Sequence, residues 1–340
     1  MGTTKSLFKR ACSLVTIATI SIAGTVLATS TASAEQLTVA YFMEWPTPSQ
    51  FAQTKKIYDK ELGMDIKWVA IDSGTAMSAA MASGNVQISF SQGIQPFTVA
   101  TSAGQDLQIV DVAVAYTENE GCVVRSSLEI DKSNAKELEG KQVAVPLGTA
   151  AHYSFLKQME NFGVDTSTMK IVDMAPSDGA AAFASGNLDM VCGWGGAYRR
   201  MQEHGNILMT GTEKQAIGIQ IFDATTVSAG WAQENAELLA KFLKVTADMN
   251  AKFAAGGSSE MLPAIAKTAG MDVEATKLAM TTFTFPTVEE QISEKLLGGG
   301  IQKFLKEVAD FFVVQGTLEK ARDSYDGAVD VSYLKAVSKM

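Results

Sequence analysis

The stretch Ala82-Ser83-Gly84-Asn85, followed by the run Val86–Phe90, recurs about a hundred positions later as Ala184-Ser185-Gly186-Asn187 followed by Leu188–Cys192. Each copy predicts an alanine-rich helix that ends at a glycine in the left-handed C′ position, and then a strand. One copy can arise by chance in an alanine-rich chain. Two copies indicate a pair of similarly built α/β lobes.

The rest of the chain alternates strand-like and helix-like patterns in the same way. Helices are predicted at Ser49–Leu62, Ala150–Phe162 and Asn235–Ala254. Strands are predicted at Leu37–Tyr41, Ile66–Ile71, Val86–Phe90, Val110–Val114, Cys122–Arg125, Gln142–Val145, Lys170–Val172, Leu188–Cys192 and Ile219–Val227. This alternation predicts an α/β fold with largely parallel sheets, whose ligands bind beyond the carboxyl ends of the strands. We expect one lobe from residues 35–118 and 228–340, a second from 119–227, and a ligand cleft between them.

Residues 1–34 have the pattern of a secretory signal peptide. Lys5, Lys9 and Arg10 precede an apolar stretch, and Ala32-Ser33-Ala34 provides a cleavage site. The alternative is a membrane anchor, but the apolar stretch is short and interrupted by serine and threonine. Cleavage would leave an exported, periplasmic chain with a net charge of -12 instead of -9, because residues 1–34 carry three basic and no acidic residues. So acidic a surface argues against nucleic acid as a partner.

Motifs for catalysis are missing from the sequence. There is no phosphate-binding Gly-Lys-Ser/Thr loop, no Gly-x-Ser-x-Gly elbow, and no histidine–cysteine cluster at metal spacing, so no metal or cofactor is expected. Cys122 and Cys192 either form a disulfide, as an oxidising compartment favours, or remain two separate buried thiols. We therefore predict a binding protein and not an enzyme.

An anion site is predicted at the turn that follows the strand Gln142–Val145. Thr149 can cap the next helix, whose first amides and positive dipole end then face outward and can receive an anion without lysine or arginine. The alternative is an ordinary helix cap with no ligand.

Candidates for binding a cation lie at other strand ends. Glu44 and Trp45 follow the first strand, and Trp194 lies at the equivalent strand end of the second lobe. A carboxylate with aromatic walls suits an alkylammonium group, although both tryptophans could simply be packed. Asp223 lies inside an apolar strand and needs a partner, either a neighbouring amide or a ligand ammonium. Gln92 follows the strand Val86–Phe90 and is predicted to reach the same cleft.

These features together resemble the periplasmic taurine-binding proteins of ABC transporters, within the aliphatic sulfonate and nitrate-type binding proteins. The resemblance covers nearly all of the chain after the signal, and its most specific carriers are His152-Tyr153-Ser154, Trp194 and Phe222-Asp223. It implies a type II periplasmic-binding fold, a monomer, and delivery of ligand to a membrane permease with a cytoplasmic ATPase. It also implies that Asp223 binds the amine and that the turn containing Thr149, His152 and Tyr153 binds the sulfonate.

Other ligands and roles fit part of this pattern. A betaine-like osmolyte or an alkanesulfonate would use the same fold, but the first prefers an aromatic cage and the second has no use for buried acids. A sensor subunit that presents its ligand to a receptor, or an exported two-lobed enzyme, are the remaining alternatives. Taurine, a zwitterion, uses both kinds of site and is the predicted ligand.

Overall fold

A computed structural model describes residues 36–340, and the predicted signal peptide lies outside the described residues. The described chain is built on two sheets, which confirms the predicted α/β class. The first sheet has six strands, in the spatial order β11 (Phe283–Thr284), β4 (Leu107–Tyr116), β10 (Ile221–Ser228), β3 (Ile88–Gly93), β1 (Thr38–Tyr41) and β2 (Lys67–Ala70). The second has five strands, in the order β7 (Lys170–Val172), β6 (Gln142–Ala144), β8 (Met190–Trp194), β5 (Glu120–Arg125) and β9 (Gly205–Ile207).

Fifteen α-helices cover these sheets within residues 36–340. They are α1 (Ser49–Thr54), α2 (Ile57–Leu62), α3 (Gly74–Ala82), α4 (Ile94–Ser102), α5 (Ala150–Phe162), α6 (Pro176–Ala184), α7 (Gly195–Gln202), α8 (Gly211–Ala216), α9 (Ala229–Glu234), α10 (Ala236–Lys252), α11 (Ser258–Ala269), α12 (Val273–Met280), α13 (Val288–Ile292), α14 (Gly300–Val314) and α15 (Ser332–Val337). The C-terminal helices pack on the helices of the six-stranded sheet: α10 lies against α1 and α2, and α14 lies against α4. None of the helices in residues 36–340 has the length and apolar character needed to cross a bilayer.

The sheets are mixed, so the expectation of largely parallel sheets is wrong. β1 is parallel to β2 and β3, and β6 is parallel to β7 and β8. In contrast, β10 runs antiparallel to β3 and β4, and β5 runs antiparallel to β8 and β9. β5 and β10 are the first strands that the chain forms after moving from one sheet to the other, and the short edge strand β11 is also antiparallel, to β4.

The chain changes sheets at two places. It leaves the six-stranded sheet after Tyr116 and enters the five-stranded sheet at Glu120, close to the predicted boundary at 118. It returns between α8 and β10, and the whole of β10 pairs in the six-stranded sheet. The boundary predicted at 227 falls inside this strand, because an apolar run does not indicate which sheet it joins.

The internal repeat is also a repeat of hydrogen bonds. Gly84 and Gly186 have φ values of 75° and 89°, the left-handed conformation expected after a helix. The next amide, of Asn85 or Asn187, donates to a carbonyl five residues back in α3 or α6, and the asparagine side chain donates to the serine two residues before it. The same four residues therefore end a helix and start a strand in both sheets.

Cys122 of β5 and Cys192 of β8 form a disulfide. The two residues are direct partners in the strand register, with their Cα atoms 4.0 Å apart. Of the two alternatives left open by the sequence, the structure shows the disulfide, and it ties β5 to the strand that ends at Trp194.

Candidate functional site

A cavity lies between the two sheets, where the strands of both end. The six-stranded sheet contributes Asp223 and the segments that follow its strands, while the five-stranded sheet contributes the residues after β6 and the end of β8. Ten residues line it: Phe42, Trp45, Gly74, Gly93, Pro96, Tyr116, Thr149, Ala150, Trp194 and Asp223. Its position agrees with the rule that α/β sheets bind ligands at strand carboxyl ends.

One end of the cavity is marked by the carboxylate of Asp223, which is 3% exposed. Tyr116 donates a hydrogen bond of 3.1 Å to Oδ1, and Ser91 donates one of 3.0 Å to Oδ2. Burial raises the pKa of Asp223 to about 7, although the hydrogen bonds from these two hydroxyls oppose that rise. No lysine or arginine of residues 36–340 pairs with this carboxylate, so its negative charge has no partner of opposite sign in the described protein.

Aromatic rings form the walls beside Asp223. Trp45 is buried, its ring centroid lies 4.8 Å from that of Tyr116 and 4.7 Å from that of Phe283, and its Nε1 donates to Ser91 Oγ over 3.1 Å. On the other side, Trp194 packs at 6.0 Å on Phe42. The ring faces suit an alkylammonium group held between them.

The starts of three helices provide positive partial charge, opposite in sign to the Asp223 carboxylate. Gly74 begins α3, Gly93 precedes α4, and Thr149 and Ala150 begin α5, and all four line the cavity. None of these helices has an acidic residue in its first turn, so the positive dipole ends of α3 and α5 are uncompensated there, while the start of α4 lies beside the Asp223 carboxylate. Thr149 caps α5 as predicted, with its Oγ1 accepting from His152 N at 3.4 Å. Free first-turn amides at such positions receive anionic oxygens well.

Of the eight ligand contacts predicted from the sequence, four line this cavity: Trp45, Thr149, Trp194 and Asp223. Glu44 follows the same strand as Trp45 but lies outside the cavity. Its carboxylate instead pairs with Arg200 of α7, at 2.6 and 3.1 Å. No local pattern indicates this pair, because the partners are 156 residues apart.

The other three predicted contacts also lie outside the cavity lining. The side chain of Gln92 hydrogen-bonds to protein groups: its amide donates to Gly74 O and Ser78 Oγ, and its oxygen accepts from Thr226. His152 accepts from the amide of Gly148 and stacks on Phe312, and burial lowers its pKa to about 4, so it is neutral at pH 7.

Tyr153 packs its ring edge-on against Phe311, at 5.2 Å, and burial raises its pKa to about 12. Of these three residues, only Gln92 has a side chain that hydrogen-bonds to a residue lining the cavity, Gly74.

A family model described as NMT1/THI5 like matches residues 47–254. The chain belongs to the NMT1/THI5-like family. It is 26% identical over 309 residues to the taurine-binding periplasmic protein of Escherichia coli (strain K12), an alignment that covers 89% of this chain and 94% of that protein. The predicted resemblance is thereby confirmed.

Solved structures similar to this NMT1/THI5-like chain include a binding protein and an enzyme. The alkanesulfonate-binding protein SsuA from Xanthomonas axonopodis pv. citri bound to MOPS matches with a TM-score of 0.71 at 18% identity, covering 87% of this chain and 98% of that one. The desulfurization enzyme DSZB matches with a TM-score of 0.64 at 14% identity, covering 89% and 99%. These likenesses confirm the periplasmic-binding fold, and at such identities they show the fold alone.

Sequence reasoning missed two side chains at the centre of the site of this NMT1/THI5-like chain. Tyr116 ends β4 at the same sheet edge as the predicted contacts, so the rule about strand ends could have found it. Ser91 follows the strand Val86–Phe90 directly, so the same rule could have placed it near the cleft, but its contacts with Trp45 and Asp223 depend on a local backbone conformation that the sequence does not indicate. The completed site offers amide donors at its helix starts and a hydrogen-bonded carboxylate between aromatic rings.

Proposed function

We propose that this chain is a periplasmic solute-binding protein of an ABC importer and that taurine is its ligand. The observation that carries this proposal is the combination of the buried Asp223 carboxylate, which pairs with no lysine or arginine of residues 36–340, and three helix starts on one small cavity. A ligand ammonium would neutralise the Asp223 carboxylate, and a ligand sulfonate would accept hydrogen bonds from the amides at the helix starts. The name of the E. coli relative, a taurine-binding periplasmic protein, supports the same ligand.

Neighbouring ligand classes fit this cavity less well. An amine-free alkanesulfonate would leave the buried carboxylate unpaired, and a dicarboxylate would place a second carboxylate near it, where arginines would be needed. A betaine-like quaternary ammonium could use the aromatic walls, but it cannot donate a hydrogen bond to Asp223.

Export, partners and the absence of catalysis complete the proposal. Residues 1–34 direct export, and the mature protein, a monomer, delivers its ligand to an inner-membrane permease with a cytoplasmic ATPase. Protein from the periplasm should begin at Glu35 when its N-terminus is sequenced. We infer binding without conversion of the ligand, because both cysteines of the described residues are held in the disulfide and provide no nucleophilic thiol. A changed product after incubating pure protein with taurine would contradict this.

Closure of two lobes on the ligand is part of the proposed function. The two connections between the sheets, near residues 117–119 and 217–220, are the expected hinge. Taurine at a hundredfold excess over its Kd should stabilise the protein by about 2.7 kcal/mol. An unchanged melting temperature and an unchanged radius of gyration in X-ray scattering would exclude taurine as a closing ligand.

The division of the cavity into an amine end and a sulfonate end predicts how Asp223→Asn changes affinity. This substitution preserves size and removes the charge, so taurine binding should weaken by about 2–5 kcal/mol, as for a desolvated charge pair that loses one partner. Ethanesulfonate, which lacks the amine, should lose much less. Isothermal titration calorimetry with both ligands measures the difference.

Asp111→Asn is the matched control for this experiment. Asp111 is equally buried in the adjacent strand β4 and accepts a hydrogen bond from Thr225, but it does not line the cavity. Asp111→Asn should change the affinities for taurine and ethanesulfonate equally, because it acts only through the stability of the folded protein. Equal losses of taurine and ethanesulfonate in Asp223→Asn would assign Asp223 a structural role and remove the basis for choosing taurine.

A further inference from the structure

Ser91 adopts a backbone conformation that serine rarely takes inside a strand. Its φ is 63°, in the left-handed region, and it is one of four non-glycine residues with positive φ in residues 36–340. The other three, Glu44, Lys56 and Glu129, lie in loops or at helix ends and are more exposed, whereas Ser91 is 1% exposed and lies within β3. Such conformations cost free energy and persist where the surrounding structure imposes them.

The cause is a β-bulge between β3 and β10. Ala224 pairs with Gln92, but Thr226 pairs with Ser89, so three steps along β3 face two steps along β10. Ser91 lies in the widened part of β3. Bulges of this kind normally place glycine at the left-handed position, and they redirect side chains beside binding sites. A serine at this position indicates that its hydroxyl has a use that glycine cannot supply.

That hydroxyl connects two walls of the cavity. Ser91 Oγ lies 3.1 Å from Trp45 Nε1 and 3.0 Å from Asp223 Oδ2. An indole N–H can only donate, so the serine oxygen accepts from Trp45 and is left with its single proton to donate to Asp223. The direction of both hydrogen bonds follows from this chemistry alone.

We propose that Ser91 is a positioning residue, whose hydroxyl holds the Asp223 carboxylate and the Trp45 indole in the arrangement that receives the ligand's ammonium group. The inference rests on the proposed function, since it assumes that Asp223 binds an amine. Ser91 lines the wall behind these side chains and acts through them.

The electrostatics of the site agree with this role. Burial raises the pKa of Asp223 to about 7, and the hydroxyl donors stabilise the ionised form against that rise. The other titratable group in contact with it is Tyr116 of β4, whose pKa burial raises, so it stays neutral. Beyond Tyr116 lies Glu120 of β5, which pairs with Lys214 of α8. Loss of the Ser91 hydroxyl should therefore raise the pKa of Asp223 further and reduce its charged fraction at neutral pH.

Two substitutions distinguish the effect of the Ser91 hydroxyl from the effect of the Ser91 backbone conformation. Ser91→Ala and Ser91→Gly both remove the hydroxyl, but alanine keeps the Cβ that strains serine at a φ of 63°, whereas glycine adopts this φ without strain. Ser91→Gly is thus the variant expected to fold well. Ser89→Ala is the control, because Ser89 lies two residues earlier in β3, is fully buried, and its Oγ has no hydrogen-bond partner.

The titration of Asp223 is followed in ligand-free protein by carbon-13 NMR of its carboxyl carbon, and taurine affinity is measured from pH 6 to pH 9. We expect both Ser91 variants to titrate at a higher pH than wild type and to bind taurine about 10- to 100-fold more weakly at pH 7, the effect of losing a hydrogen bond to a charged group. The loss should shrink towards pH 9, and Ser89→Ala should match wild type.

Two results would overturn the proposal. An Asp223 titration that is unchanged in both variants would show that the hydroxyl does not act on the carboxylate. Wild-type taurine affinity at pH 7 in Ser91→Gly, which lacks the hydroxyl, would show that the hydroxyl is not needed to position the site. Failure of wild-type protein to bind taurine would instead reject the proposed ligand, while the ligand-free NMR titration would still decide the role of Ser91.

Discussion

At the scale of the residue, the ionisation of Asp223 opposes folding when no ligand is bound. The carboxyl has a pKa of about 7 in the folded protein against 3.8 as its ordinary value, so the folded state holds its proton more tightly than the unfolded state. Stability from this group is therefore highest below about pH 4, falls as the pH rises to about 7, and is constant above that. The full difference corresponds to about 4 kcal/mol.

Urea unfolding of ligand-free protein at pH 5 and pH 8 measures this effect as the difference between wild type and Asp223→Asn. Asp111 and Glu120 change stability in the same direction, because burial raises the pKa of both, and His152 acts in the opposite direction, because burial lowers its pKa. Wild type and Asp223→Asn both contain Asp111, Glu120 and His152, so the contributions of these three residues cancel in the stability difference. We expect wild type to lose more stability than the variant between pH 5 and pH 8, and saturating taurine to remove much of that excess. Equal losses would mean that Asp223 is already ionised at pH 5.

At the scale of the element, the start of α7 packs directly on the segment after β1. A Cβ atom built on Gly195 would lie 2.5 Å from the carbonyl oxygen of Glu44, and Gly195 also has a φ of 61°. Gly195→Ala should therefore weaken taurine binding at least tenfold, since it forces apart two elements that enclose the cavity. Gly186→Ala provides the control: it has the same kind of strained φ, at 89°, but no neighbouring atom within 4 Å of its Cβ.

Both glycine variants should lose similar stability in urea unfolding, because both adopt a left-handed backbone. Only Gly195→Ala should also lose affinity by calorimetry. Equal affinities for the two variants would show that contact between α7 and the β1 segment is unnecessary for binding.

Most strands were predictable because their signals are local. All nine predicted strands are present, and the helix at Ala150–Phe162 has the predicted ends. The predicted helix Ser49–Leu62 is in fact two, because Lys56 adopts a φ of 52° between them. The bulge at Ser91 and the ion pair of Glu44 with Arg200 depend on segments far apart in the chain, and no local pattern indicates them.

At the scale of the whole molecule, the ion pair between Glu44 and Arg200 joins the two sheets at the mouth of the cavity. Both side chains are partly exposed, at 32% and 47%, so a contribution of about 0.2–1 kcal/mol is expected. If the pair breaks on the proposed opening of the lobes, Glu44→Gln should raise the taurine dissociation rate by about 1.4- to 5-fold and leave the association rate nearly unchanged. Stopped-flow tryptophan fluorescence measures both rates.

Arg200→Gln and the double variant Glu44→Gln/Arg200→Gln complete a double-mutant cycle. The double variant should dissociate no faster than either single variant, because each already breaks the pair. Asp310→Asn is the control, since it removes a comparably exposed pair with Lys306 inside α14. Additive effects of Glu44→Gln and Arg200→Gln would show that the two residues act separately.

The two ends of the cavity differ in how mutation can alter them. Donors at the starts of α3, α4 and α5 are main-chain amides, which every residue except proline supplies, whereas the other end depends on the side chains of Asp223, Tyr116, Ser91 and Trp45. Under the proposed function, a single codon change can therefore abolish recognition of the amine, but few can abolish recognition of the acid group. Proteins that evolve from this one would therefore readily change specificity for the group at the other end of the ligand, while still binding its sulfonate group.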